Sequence, residues 1–141
     1  TLLAGHSLGG GSSILAADPS LASTYPSASA LATLSLGTYT IPSALNSAPG
    51  LRLPSLLLTA SEDCIDPPSR NSMAVFESAQ SNCAFVVSVT GGSHCQYAAA
   101  NMGCEITEKL CGAHPNITRD RQTVVALDLL LPFLDASLAG A

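Results

Sequence analysis

The chain has 141 residues, of which 47% are hydrophobic and 11% are charged, a composition typical of one packed globular domain and not of a disordered tail. Five Lys and Arg against ten Asp and Glu give a formal net charge of -5 without any basic run, so nucleic acid is not an expected partner. The longest apolar stretch, 124–134, is interrupted by a charge and a proline and is shorter than the roughly 20 residues of a membrane span. No transmembrane segment is expected.

Strand patterns and helix patterns alternate along the chain. Periodicity and turn residues predict strands at 1–4, 31–36, 54–60 and 84–90 and helices at 8–17, 67–81 and 121–138. Loops are predicted at 37–50 and, with several cysteines, at 91–120. This order predicts parallel strands joined by helical crossovers, which is an α/β fold in one domain. In such sheets functional sites lie beyond the carboxyl ends of the strands.

The loop after the first strand has the sequence GHSLG at Gly5–Gly9, a G-x-S-x-G pattern at the point where a strand turns into a helix. A serine on so sharp a turn adopts a strained backbone, and glycines two residues away on either side remove side chains that would collide with it. Ser7 is therefore a candidate nucleophile. The alternative is a Gly-rich turn with an incidental serine.

The loop after the third strand offers three carboxylates. Asp66 stands before two prolines and is predicted to be a helix N-cap, and Glu62 is predicted to be solvated. Asp63 remains as the candidate acid, with a loop carboxylate that caps backbone amides as the alternative. After the fourth strand, His94 in the sequence GGSHC is the candidate base, because it completes a Ser, acid, His order. A surface histidine is the alternative.

These groups would act together. His94 would take the proton of Ser7 during attack on a carbonyl carbon, and Asp63 would orient the imidazole. The backbone N–H of Leu8 would face the developing oxyanion. His6 is predicted to pack beside the nucleophile and His114 to lie on the surface. No cofactor or metal is expected.

The three motifs in this order resemble the C-terminal half of the α/β-hydrolase superfamily, in the branch of polyester hydrolases, chlorophyllase-like esterases and dienelactone-hydrolase-like proteins. The resemblance implies a doubly wound, mostly parallel sheet in which Ser7, Asp63 and His94 are nucleophile, acid and base. It also implies that 1–141 is a partial domain, beginning at the strand before the nucleophile. Family members carry a preceding half with the second oxyanion donor, which is expected as a second chain or a further segment of the same polypeptide.

Five cysteines, an odd number, favour secretion or another oxidising compartment. Cys64 and Cys95 each follow a candidate catalytic residue, so the fold would bring their loops together and permit a disulfide, similar to the bridge that joins these loops in some polyester hydrolases; the sequence leaves the connectivity open. Cys104 and Cys111 are the expected second pair, and Cys83 is expected to be a buried thiol. Metal binding is the competing interpretation, although the chain has no C-x-x-C pair.

The leading hypothesis is a serine hydrolase that cleaves carboxylic esters, either small molecules or lipid-like esters, through an acyl-enzyme. The alternative is a catalytically idle subunit with a structural or ligand-binding role in a larger assembly. A peptidase or an acyltransferase with the same three groups is not separated from an esterase by sequence. The triplet Asn116–Thr118 is an N-glycosylation sequon, also expected by chance, and Phe85 and Phe133 are predicted to be core residues.

Overall fold

The structure is a computed structural model that describes residues 1–21, 28–37 and 42–139. Its strands are β1 (Leu2–Ser7), β2 (Ala30–Leu36), β3 (Ser55–Ala60) and β4 (Ala84–Val89). Its helices are α1 (Leu8–Ala16), α2 (Pro42–Ser47), α3 (Ser72–Ser78), α4 (Met102–Cys111) and α5 (Arg119–Leu138). In these ranges, no helix is long and apolar enough to cross a membrane.

The strands form one parallel sheet in the order β1-β2-β3-β4. Helical connections follow β1, β2 and β3, as parallel pairing requires. The predicted parallel α/β fold is confirmed. Because all strands run in one direction, the loops after β1, β3 and β4 emerge along one rim of the sheet, where the candidate residues were expected to meet.

Helices cover both faces of the sheet. On one face, Ile14 of α1, Ala44 of α2 and Val75 of α3 pack with Leu57 of β3. On the other face, α5 packs on β3, and the residues that form this second cluster include Leu56, Leu58, Ala126 and Phe133. All six residues of β3 are buried because the strand is central and covered on both sides, which explains its three consecutive leucines, Leu56–Leu58.

Several predicted element boundaries were wrong. The predicted loop 37–50 contains α2, followed by a 3₁₀ turn at Ala48–Gly50. The helix expected from residue 67 begins at Ser72, after a 3₁₀ turn at Pro68–Arg70. Pro68 disfavours a helical backbone at the residue before it, and Pro67 is extended, with ψ 130°. Asp66 therefore caps no helix. The predicted loop 91–120 contains α4, whose ends are marked by the Asn101 side chain, which accepts a hydrogen bond from the N–H of Cys104, and by Gly112 at φ +90°.

Two side chains at the edge of the sheet are also placed differently from the prediction. Cys83 is exposed and free, and 51% of Phe85 is exposed. Both belong to β4 or its start, and β4 is the last strand of the described sheet, so only one of its edges is paired. Phe133 of α5 is buried against the sheet, as predicted.

Candidate active site

The turn between β1 and α1 is strained at Ser7, which has φ +55° and ψ -123°. A positive φ is unusual for a residue with a side chain and costs on the order of 1–3 kcal/mol, so the surrounding packing must impose it. The packing does so because α1 begins at the very next residue. A Cβ on Gly5 would overlap the carbonyl of Gly9, which explains the glycine two residues before Ser7.

Gly37, the residue directly after β2, closes the turn from the neighbouring strand. Its N–H donates to the Ser7 carbonyl at 2.9 Å. A Cβ at this position would lie 2.6 Å from Oδ2 of Asp66 and 3.2 Å from the backbone nitrogen of Leu8. The absence of a side chain at Gly37 therefore allows Asp66 to reach Ser7.

Asp63 and His94 form a buried pair at the ends of β3 and β4. Nδ1 of His94 lies 3.0 Å from Oδ2 of Asp63, and the two residues are only 3% and 4% exposed. The other oxygen of Asp63 accepts the N–H of Asp66 at 2.7 Å. The two loops are also joined by a backbone hydrogen bond from Glu62 to Gly92, at 2.9 Å. The Asp63 carboxylate is thus held by the His94 imidazole and by a backbone N–H, and the two loops are joined through their backbones.

The electrostatics of this pair favour a protonated imidazole. Burial lowers the pKa of His94. The hydrogen bond and charge of Asp63, and then the charges of Asp66 and Glu108, raise it by more than burial lowers it, so the pKa of His94 lies above its usual value. An imidazole that gains stability on protonation is a better proton acceptor, which is the property required of a general base.

Asp66 joins the same cluster, which the sequence analysis did not foresee. The Ser7 hydroxyl donates to its Oδ2 at 3.3 Å, and that oxygen lies 3.7 Å from Nδ1 of His94. Burial raises the pKa of Asp66, as does the charge of Asp63, while His94 and Ser7 act in the opposite direction. The prolines after Asp66 were the available signal, since they exclude a helix cap there.

The predicted residues are therefore brought together in part. Asp63 and His94 are hydrogen-bonded, and Ser7 is linked to the same cluster through Asp66. In the described part of the chain, no hydrogen bond joins the Ser7 hydroxyl directly to the His94 imidazole. The N–H of Leu8 belongs to the first turn of α1, where backbone donors have no partner within the helix.

His6 packs behind His94. The ring centroids lie 4.8 Å apart, and Nε2 of His6 lies 3.1 Å from the carbonyl oxygen of His94. Burial lowers the pKa of His6, and so does the nearby charge of His94. His6, in its neutral form, thus supports the loop that carries His94, which we call the base loop. The neighbouring loop that carries Asp63 is called the acid loop. His114 is exposed, as predicted.

The disulfides differ from the expected pairs. The structure joins Cys64 to Cys111 and Cys95 to Cys104, with Cα–Cα distances of 5.9 and 5.8 Å. The expected pair of Cys104 with Cys111 is impossible because both lie on α4, where seven residues rise about 10 Å, well beyond the reach of a disulfide. Each cysteine of α4 instead reaches a different loop, so the acid loop and the base loop are tied to the same helix.

Two buried polar side chains form hydrogen bonds with the backbone of the base loop, on either side of His94. Gln122 of α5 accepts the N–H of Ser93 at 2.9 Å and donates to its carbonyl at 2.8 Å. Glu108 of α4 accepts the N–H of Cys95 at 2.7 Å. These contacts were missed because each joins residues that are far apart in sequence, and the role of Glu108 depends on a helix that was predicted as a loop. Among the described residues, no group of three His, Cys, Asp or Glu side chains could hold a metal ion.

No protein-family model and no curated protein matches the chain. Solved structures do resemble it. A monoacylglycerol lipase from Paleococcus ferrophilus has a TM-score of 0.57 at 17% identity, over 78% of this chain and 66% of that chain. A predicted CIB-like hydrolase from Thermoplasma acidophilum has a TM-score of 0.54 at 18% identity, over 78% of this chain and 49% of that chain.

One neighbour is named a lipase and the other a predicted hydrolase, and the chain shares with them the α/β-hydrolase fold. At these identities the similarity concerns the fold, and the narrower polyester hydrolase branch stays a prediction. The chain covers about two thirds of the first neighbour and half of the second.

Proposed function

We propose that the chain is a serine hydrolase domain that cleaves carboxylic esters, with Ser7 as nucleophile, His94 as base and Asp63 as acid. The observation that carries the proposal is the buried 3.0 Å hydrogen bond between Asp63 and His94, at the same rim of the sheet as a serine held at φ +55°. A strained serine beside an imidazole that is oriented by a carboxylate is the arrangement that acyl transfer requires.

The reaction begins with rotation of the Ser7 hydroxyl away from Asp66 and toward Nε2 of His94. In this rotation one staggered rotamer of the Ser7 side chain replaces another. The oxygen attacks the ester carbonyl carbon while Nε2 accepts its proton, and the N–H of Leu8 donates to the oxyanion. Collapse of the tetrahedral intermediate expels the alcohol, which takes the proton from His94. Water then attacks the acyl-enzyme by the same route in reverse.

Geometry favours Asp63 over Asp66 as the carboxylate that orients the His94 imidazole. Its oxygen is 3.0 Å from Nδ1, against 3.7 Å for Asp66, and its second oxygen is fixed by a backbone N–H. The proton on Nδ1 is thereby retained, which leaves the lone pair on Nε2 for the reaction.

The fluorophosphonate reaction tests the proposal, because covalent labelling requires an activated serine. We expect wild-type protein to be labelled and Ser7→Ala to lose labelling. Ser12→Ala is the matched control, since Ser12 is an exposed serine one turn further along α1 and bonds only to a backbone carbonyl. Folded wild-type protein that stays unlabelled when the preceding half of the fold is also present would favour the alternative, a catalytically idle structural or ligand-binding subunit.

Two further parts of the proposal concern context. The pair of disulfides hints at an oxidising compartment, and we place the protein outside the cytosol as a secreted protein. We also propose that a preceding half of the fold, on a second chain or a further segment, supplies the second oxyanion donor, since the neighbouring hydrolases extend beyond the matched region. Gel filtration with intact mass tests this, and a stable, active monomer of this chain alone would contradict it.

A further inference from the structure

Helix α4 has two opposite faces. Cys104, Glu108 and Cys111 face the protein, through two disulfides and the hydrogen bond to the base loop. On the other side, Met102, Ile106 and Leu110 are 77%, 50% and 83% exposed. At 100° per residue these three side chains form a stripe about 180° away from the anchored face. We call them the α4 stripe.

This polarity is the reverse of that of an ordinary surface helix. Such a helix buries its apolar side and exposes charges, whereas α4 buries a carboxylate and exposes its largest apolar side chains. Three adjacent exposed apolar side chains are more informative than single ones, since contiguous apolar patches commonly mark binding sites. The caps and disulfides of α4 hold it in place without any contribution from the stripe.

The stripe has a fixed position relative to the candidate active site. Cys64 directly follows Asp63, and Cys95 directly follows His94, so each disulfide runs from the helix to the neighbour of a candidate catalytic residue. A partner bound to the stripe is therefore held at a constant distance from the Asp63–His94 pair.

Size, shape and charge identify the partner. Three side chains on a convex helix expose a few hundred Å² at most, whereas a specific protein interface needs roughly 800 Å² on each partner. A lipid surface needs no matching contour, because the side chains simply insert among the acyl chains. The net charge of -5 disfavours anionic lipid, and α4 itself carries two carboxylates, Glu105 and Glu108, against one cation, Lys109.

We propose that the α4 stripe docks the protein onto the surface of neutral or zwitterionic lipid aggregates, with the candidate active site held beside the contact. Docking itself does not require that the chain be an esterase. The consequence for substrate does rest on the proposed function: the preferred esters are those presented in a lipid aggregate.

Co-sedimentation with phosphatidylcholine vesicles tests the docking. The stripe variant combines Met102→Gln, Ile106→Gln and Leu110→Gln. A matched control removes three apolar side chains of similar exposure (46%, 44% and 56%) from α5, in the combination Val124→Gln, Leu127→Gln and Leu131→Gln. We expect the stripe variant to lose vesicle affinity by at least about tenfold and the α5 variant to bind as wild type does. Circular dichroism establishes that both variants are folded.

Other outcomes would overturn the proposal. These are no binding by wild-type protein, equal loss in both variants, or binding only when phosphatidylserine is added. Dimerisation of the wild type that the stripe variant alone loses, measured by sedimentation velocity, would identify a second copy as the partner instead.

Fluorophosphonate labelling of the same samples separates this proposal from the proposed function. Vesicle binding without labelling would refute the hydrolase and leave the docking intact. Labelling without vesicle binding would do the opposite. If both hold, the stripe variant should hydrolyse an emulsified ester at least about tenfold more slowly than wild type, with the rate on a soluble ester unchanged.

Discussion

Replacing Asp66 with Asn removes one negative charge from the cluster and preserves the size of the side chain. Two unit charges 3.7 Å apart, the distance from Asp66 to protonated His94, interact by about 1 kcal/mol in water and about 4 kcal/mol at an effective dielectric constant of 20. The variant loses this stabilisation of the imidazolium, so the pKa of His94 falls. We expect the acid limb of the pH–rate profile for kcat/KM to move to lower pH.

The plateau rate distinguishes Asp66 from the proposed acid. Asp66→Asn leaves the 3.0 Å hydrogen bond of Asp63 in place, so kcat should stay within about tenfold of wild type. Asp63→Asn removes the carboxylate that orients the imidazole, and a loss of roughly 10,000-fold is expected. The assay is hydrolysis of a soluble chromogenic ester across the pH range. Equal losses would show that the acid is wrongly assigned, and an unmoved acid limb would show that the charge of Asp66 does not reach His94.

The same variant has a stability readout with a definite sign. The pKa of Asp66 is raised in the folded state because the carboxyl is buried. Such a group favours folding below its unfolded pKa, and the contribution is lost as pH rises through the folded pKa. At a pH above the folded-state pKa of Asp66, Asp66→Asn should therefore match or exceed the wild-type free energy of unfolding in urea. The loss of a helix cap would instead cost about 1 kcal/mol.

Gly5→Ala should destabilise the domain by roughly 1–3 kcal/mol because the new Cβ would overlap the Gly9 carbonyl. The control is Gly9→Ala, which has open space around it and should be neutral or slightly stabilising in the same urea titration. Similar effects of the two substitutions would contradict the packing of the turn. Joint replacement by Cys64→Ser and Cys111→Ser opens a bridge across 47 residues and should cost about 4 kcal/mol, while Cys83→Ser, at the exposed free thiol, should cost nothing measurable by thermal unfolding. A disulfide variant as stable as wild type would show that the bridge does not restrain the chain.

The sheet was predictable because local patterns determine it. The apolar run of β3 and the glycines around Ser7 are short-range signals, and the alternation of strands with helices specifies parallel pairing. The meeting of Asp63 with His94 also follows, since the carboxyl ends of adjacent parallel strands share one rim.

The missed helix and the wrong disulfide pairs share one cause, which is α4. Its apolar residues face outward, so the usual rule that the apolar side is buried gives no helix there, although Asn101 and Gly112 mark its ends. Without α4, the cysteines have no element that brings Cys104 and Cys111 to separate loops, and the disulfide pairing cannot be deduced from spacing alone. Asp66 was misassigned for a different reason, namely that the effect of Pro68 on Pro67 outweighs the capping preference of aspartate.

The acid and base loops are restrained more strongly than the fold alone requires. Backbone hydrogen bonds, two buried polar side chains and two disulfides converge on them, whereas among the described residues the Ser7 hydroxyl has one hydrogen bond, to Asp66 at 3.3 Å. A general base must keep one orientation throughout the reaction, but a nucleophile must rotate between its partner and the substrate. The distribution of restraints therefore matches the roles proposed for the three groups: rigid where a proton is held, and free at the atom that forms the bond.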